Sequence, residues 1–485
     1  MSVQPPTMLD ASSDAPIRRI TFMKVSRHTL PIILFLIANF ATLVWSPACA
    51  AELKVAVFST DVTPPLGDGI GIGFVKQFVE VEQPLLAKGF VLKSDSGTFV
   101  ICAIDYCGLC NDSYELFRNK IAAAANTTPQ NVAVQSLHQH TAPVLDANAR
   151  RILYRDQRDQ IDRRAEFETL TAEKIARAVS DATSNFRSLT HVGTSKAKVD
   201  RVASSRRLRQ PDGSVVARMS STTDAGLQSA PEGTIDPWLR SVALYENEQE
   251  IAHLSYYATH PQTSSGGNIT PDVPGIARER LQKETGVFQI YFTGCGGDIA
   301  MGKYNSGTTE DREALANRLY AAMEASVKTF KRQAVNGARW QTKVLHFPLT
   351  AGPNFAATTH ESILNSNASS SAKLKAAMNL AWIQRIRAQQ DVEASCLTIG
   401  DVCLVHLPGE VFVDYQLSAQ QLRSNAFVAV AAYGDCGMWY IGPDQIYKDK
   451  GGYEQKWSFG GCVEGQLKLV LTELLSAAEP KLQAE

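Results

Sequence analysis

From residue 53 onward, short apolar runs alternate with longer stretches whose apolar positions recur three and four residues apart. The first pattern belongs to strands, the second to amphipathic helices. Leu53–Ser59 reads as an opening strand. Phe90–Leu92 and Thr98–Ile104 read as a strand pair around Ser94-Asp95-Ser96-Gly97. A glycine-rich loop follows Gly67 and runs to Gly73. The spacing predicts helices over Tyr114–Ala125, Phe167–Phe186 and Ile276–Glu284, and a charged helical stretch over 307–333. Further helices are predicted over Ala372–Gln389, Gln416–Ser424 and Gly465–Ala478. Strands are predicted over Asn131–Leu137, Ile251–Ala258, Phe288–Phe292, Gln341–Leu349, Glu393–Ile399, Val402–Leu407 and Phe427–Ala432. Strands alternating with helices define an α/β class, with mixed, twisted β-sheets flanked by helices. No internal repeat is visible, and no Pro- or Gly-rich linker divides the chain, so one large domain is expected over 51–485. Segments 202–235 and 350–370, rich in Ser, Thr, Gly and Asn, read as surface excursions or lids.

The first fifty residues carry a different pattern. An apolar stretch over residues 30–45 is preceded by Arg18, Arg19, Lys24 and Arg27 and followed by Ala48-Cys49-Ala50. A basic region, a short apolar core and a small-x-small site are the marks of a cleaved export signal. The core is shorter than the roughly 20 residues a membrane span needs. An exported chain, periplasmic or secreted, beginning near Ala51 is therefore expected. Export changes the reading of the cysteines, of which eight remain beyond residue 50. Some could pair in an oxidising compartment. Cys107-Gly-Leu-Cys110 has no second C-x-x-C to complete a zinc knuckle, and reads as a local disulfide or two packed thiols. The formal net charge is −1, and no basic stripe is present, which argues against nucleic-acid binding.

Polar residues that an apolar run does not require stand at four strand ends. They are His138 and His140, then His260, then His406 through Glu410, then Asp435 through Tyr440 and Pro443. Residues two apart on a strand share a face, so His138 and His140 are expected to project together. In open α/β sheets, sites form beyond the carboxyl ends of strands. Two imidazoles and a carboxylate meeting there suit zinc and leave a coordination position open for water. Each residue taken alone also has a plain structural reading. The turn Gly294-Cys295-Gly296-Gly297-Asp298 offers backbone N–H groups to an oxyanion, or merely a tight packing turn. Arg206 and Arg207 are either a substrate clamp or a solvated basic loop.

Taken in order, these segments resemble the neutral (non-lysosomal) ceramidase family of zinc amidases. Asp61-Val-Thr-Pro-Pro-Leu-Gly67 resembles its opening D-I-T-P-P-x-G, and Leu137-His-Gln-His-Thr-Ala-Pro143 its T-H-T-H-S-G-P. Ser205-Arg206 resembles the N-R of its arginine motif, and Thr259-His260-Pro261 the segment of its second zinc histidine. Pro408-Gly-Glu410 resembles its P-G-E, and Tyr440-Ile-Gly-Pro443 with Tyr453-Glu454 its Y-x-T-x-P…R-Y-E region. The resemblance spans about residues 53–475 and implies a single catalytic domain with His138, His260, Glu410 and Tyr440 as Zn2+ ligands. It implies zinc-dependent hydrolysis of an N-acyl sphingoid or other N-acyl amide by metal-activated water, with peripheral membrane contact where the substrate is a lipid. His140, Arg206 and Tyr440 take catalytic roles, His140 relaying a proton or orienting substrate. Arg207, Gly297, Asp298 and Tyr453 are implied in substrate binding. Two departures stand out. The family's G-D-[IV]-S-P-N serine is Ala300 here, and the chain ends after one helix where classical members continue into an immunoglobulin-like domain. The loss of that serine supports an alternative, a catalytically silent metal-containing binding protein. A thiol redox protein using Cys107 and Cys110 is a third reading.

Overall fold

The computed structural model describes residues 52–67, 77–350, 352 and 355–476. The segment 1–50 read as an export signal, the glycine-rich loop beyond Gly67 and the end of the last predicted helix lie outside the described residues.

Three sheets repeat one plan. The first contains β1 (Lys54–Asp61), β2 (Leu86–Ser94), β3 (Gly97–Ile104) and β4 (Val132–Ser136), with Arg187–Ser188 at its edge. Strands β1, β2 and β3 form an antiparallel meander, and β4 joins β3 in parallel after helix α1 (Asp112–Ala124). The second contains β5 (His191–Lys198), β6 (Trp238–Glu246), β7 (Gln249–Tyr257), β8 (Phe288–Thr293) and β9 (Lys331–Ala334), in the order β8-β7-β6-β5-β9. Its one parallel pair, β7 with β8, is bridged by α2 (Asp272–Thr285). The third contains β10 (Ala338–Leu345), β11 (Val392–Ile399), β12 (Val402–His406) and β13 (Phe427–Ala431), with β12 and β13 parallel across α3 (Val413–Leu422). An antiparallel pair closes with a short turn, but a parallel pair needs a crossover, and a helix supplies it each time. The consequence is positional: in each sheet two adjacent strands end at the same edge.

The mixed-sheet α/β architecture is the one read from the sequence, and most predicted elements lie within a few residues of their observed bounds. Three differences have physical reasons. Strands β5 and β6 were not foreseen, because β5 carries Gly, Ser, Thr and Lys and shows little alternation, yet it is held between two partners. The charged stretch 307–333 splits into a helix over Thr309–Val327 and the edge strand β9. The helix predicted from Phe167 begins at Arg158, since its first turns are polar and bury little. The surface excursion 202–235 holds three short strands and one helical turn, with Arg206 among them.

One core, which includes Phe90, Leu254, Phe292, Leu404 and Ala431, runs across all three sheets. The edges where parallel pairs end are tied together by hydrogen bonds. Thr293 Oγ1 donates to the Leu137 carbonyl (2.7 Å), Ala432 N to Thr293 O (2.9 Å) and Ser136 N to Tyr433 O (2.8 Å). All eight cysteines from Cys102 to Cys462 are free thiols, and Cys107 and Cys110 are packed and buried. No helix among the described residues is long and apolar enough to cross a membrane.

Candidate metal centre

The hub formed by those strand ends carries the candidate chemistry. His138 and His140 follow β4, His260 follows β7, Glu410 follows β12 and Tyr433 follows β13. The strand β4 stops at Ser136, and His138 adopts a left-handed backbone with φ 71°. The two histidines therefore do not align by strand pleat, as the sequence suggested. They converge because the chain turns sharply between them. Hydrogen bonds hold that turn: His138 N donates to Tyr106 O (2.8 Å), and Gln139 Nε2 to Asp105 O (2.6 Å). Asp105 itself is locked by a fully buried two-pronged pair with Arg278, at 2.7 and 2.8 Å.

The donor atoms crowd one point. His260 Nε2 lies 3.1 Å from His138 Nε2 and 3.0 Å from His140 Nε2, and His138 Nε2 lies 3.1 Å from Glu410 Oε2. One donor atom from each of His138, His260 and Glu410 lies within 4.8 Å of the others, and all three residues are buried. Cys107, His138 and His140 form a second, overlapping donor group. His138 Nδ1–H donates to the Cys107 carbonyl at 2.5 Å, which leaves Nε2 as the lone-pair nitrogen. Burial, then the nearby Arg206, hold His260 well below the usual histidine pKa, and burial followed by His138 does the same for His140. Both are thus neutral at pH 7, the form that ligates metal.

A cation suits this arrangement. Neither Glu410 oxygen accepts a hydrogen bond among the described residues, although the side chain is 1 % exposed. A buried carboxylate without donors is costly unless a positive charge offsets it. Atoms bound about 2.0–2.2 Å from a tetrahedral zinc stand about 3.3–3.6 Å apart, a little more than the separations seen here.

Tyr440 stands directly opposite Glu410 in a two-residue parallel ladder, so both side chains leave on the same side. Its hydroxyl accepts a hydrogen bond from Arg206 Nη1 at 2.9 Å. Arg206 also donates to the Gly297 carbonyl (3.4 Å) and to Ser220 Oγ (3.0 Å), and its guanidinium lies 5.6 Å from the Tyr453 ring. Burial opposes its charge, but Tyr440, Glu454 and Glu410 outweigh burial and keep it protonated. Tyr453 meets Tyr440 edge to face at 6.0 Å.

The other residues implied in substrate binding are engaged by neighbouring protein groups. Arg207 turns to Asp449 and Glu454. Asp298 Oδ1 accepts from Val413 N (2.9 Å) at the start of α3, and burial pushes its pKa up to about 7. In the glycine turn, Gly294 N donates to Tyr257 O, Cys295 N to Gln416 Oε1 and Gly297 N to Val411 O, so those N–H groups are already occupied. Gly297 is a close-approach glycine, since a Cβ there would stand 2.3 Å from the Glu410 carbonyl. His406 stays inside β12, stacked 6.1 Å from Trp340. Ala300 is buried, pairs with Ser204 and bridges to His260.

Sequence reasoning missed Tyr433. Its ring stacks on His138 at 4.4 Å, and its hydroxyl lies 3.4 Å from His260 Nδ1. The one available signal was a large aromatic directly after a buried strand and before Gly434.

The three-sheet α/β fold is similar to that of neutral ceramidases. The neutral ceramidase from Pseudomonas aeruginosa superposes with a TM-score of 0.64 at 14% identity, over 90% of this chain and 76% of that one. A ceramidase solved in complex with C2 gives a TM-score of 0.64 at 12% identity, over 88% and 75%. No protein-family model matches this chain, and comparison with curated proteins finds no match.

Proposed function

We propose that residues 51–485 form the catalytic domain of a zinc-dependent amide hydrolase, and that residues 1–50 direct its export. The observation that carries this reading is the buried meeting of two imidazoles with a carboxylate that has no hydrogen-bond donor among the described residues. His138, His260 and Glu410 would hold the ion, with Tyr440 beside them. When bound, zinc supplies Lewis acidity toward an amide carbonyl and a water for hydrolysis.

The protein's own residues do the rest. His140 is the least buried of the three clustered histidines, and its ring would orient substrate or relay a proton. Arg206 stays charged and is fixed by Tyr440, Gly297 and Ser220, so a developing oxyanion meets a donor that need not reorganise. Ala300 offers no hydroxyl, so the nucleophile is water rather than a serine. The structural neighbours are named as ceramidases, and the substrate class carried over is an N-acyl amide of lipid type, such as an N-acyl sphingoid base.

The test combines metal analysis with turnover of a panel of N-acyl amides, with and without chelator. One zinc per chain and chelator-sensitive hydrolysis are expected. His260→Ala should lose both the zinc and all measurable turnover. Stoichiometric zinc in a protein inert across the panel would instead identify a metal-holding binder. Ala300→Ser then shows whether the missing hydroxyl matters.

A further inference from the structure

The second sheet carries a recess of about 510 Å³ lined by none of the residues of the metal centre. Three cationic side chains, Lys196, Arg240 and Lys331, stand in its lining. Lys196 on β5 stands directly opposite Arg240 on β6, and Lys331 on β9 directly opposite Thr194 on β5. Opposed residues share a sheet face, and Thr194 and Lys196 are two apart, so three cationic side chains leave one side of the sheet. Like charges directly opposite one another destabilise a ladder. No Asp or Glu lines the recess, and among the described residues none of the three cations has an ion pair.

Lys331 sits on an edge strand, where a lysine also discourages unwanted pairing, so by itself it implies no ligand. Arg240 has no such reason, because it stands on the central strand of five. Its Nη2 donates to Gln420 Oε1 (2.8 Å), its guanidinium lies 5.6 Å from the Phe427 ring, and its buried Nε has no hydrogen-bond partner among the described residues. Asp236, the carboxylate it senses, accepts both the Gln416 and Gln420 amides at Oδ2 and lies outside the recess.

We propose that this recess binds a phosphate-bearing small molecule, its phosphate held by Arg240, Lys196 and Lys331 with the hydroxyls of Thr194 and Ser424. A dianion relieves the repulsion between Lys196 and Arg240, and the planar guanidinium matches phosphate oxygens. The volume exceeds that of phosphate alone and lies in the range of small-molecule sites. Phe427 and Val428 in the lining offer apolar surface to the organic part.

The experiment is calorimetric titration of the zinc-loaded protein at fixed ionic strength. One arm uses inorganic phosphate; another uses phosphatidylcholine vesicles with and without phosphatidylglycerol. Saturable phosphate binding that weakens at least tenfold in Lys196→Gln and in Arg240→Gln, but not in the control Lys93→Gln, is expected. Lys196 is exposed, so its variant reads binding even where Arg240→Gln disturbs the sheet. Binding only to phosphatidylglycerol vesicles, lost in the same variants, identifies a lipid headgroup as the source of the phosphate. The proposal fails if neither probe binds saturably, or if binding persists unchanged in both variants.

Discussion

At the scale of single residues, the candidate centre is marked by backbone strain. His138 (φ 71°), Tyr433 (φ 63°) and Trp439 (φ 58°) are all non-glycine residues in the left-handed region, and all adjoin the cluster. Such conformations cost roughly 1–3 kcal/mol each and persist where the surroundings dictate them. Here the surroundings are visible: Tyr433 N donates to Gly409 O and Trp439 O accepts from Glu410 N, so these bends fix the strand end that presents Glu410. Tyr433 then touches two of the clustered histidines, one by stacking and one through its hydroxyl. Outer groups of this kind orient ligands, and their loss typically costs 10–100-fold in metal affinity. Tyr433→Phe keeps the stack and removes the hydroxyl. It should still bind one zinc, with affinity about tenfold lower by chelator competition. Unchanged affinity would reduce Tyr433 to a packing role.

At the scale of elements, each parallel crossover brings candidate side chains to the end of its strands, and this was the legible part. Apolar runs ending in His-Gln-His, Thr-His-Pro and Pro-Gly-Glu announced three strand ends, because a buried strand has no packing need for those residues. What the sequence could not reveal was partner choice. Asp298 and the glycine turn were read as substrate-facing because polar and flexible residues after a strand suit either role. The structure commits the Asp298 carboxylate to the first N–H of α3. Side-chain acceptors at a helix start contribute about 1 kcal/mol. Asp298→Ala is therefore expected to lower stability by about 1 kcal/mol in denaturant titration, with zinc content and KM retained. A large rise in KM at unchanged stability would return Asp298 to the substrate. Arg207 follows the same logic, for its adjacency to Arg206 said nothing about the different partners the two side chains take.

At the scale of the whole molecule, the three sheets act as one body, because their parallel edges share the hub and a continuous core lies behind it. Stability should then be set by groups buried far from the chemistry, and His406 is the clearest. It was read as a strand-end candidate beside Glu410, yet it is buried between β11 and β13, and neither ring nitrogen has a hydrogen-bond partner among the described residues. Burial lowers its pKa from 6.5 to about 3. The sign follows from proton counting: between those values the unfolded chain binds a proton at this site and the native chain does not, so stability falls as pH drops. Its contribution is fully present above pH 6.5 and is lost progressively toward pH 3. The total is on the order of a few kcal/mol. Phenylalanine keeps an aromatic face toward Trp340 and has nothing to protonate. Urea denaturation from pH 7 to 4 should show a steeper acid loss of stability in the wild type than in His406→Phe, the two curves diverging below about pH 6.5. Parallel curves would mean that the buried imidazole is already compensated, by a water or by motion of the strand, and that acid sensitivity arises elsewhere.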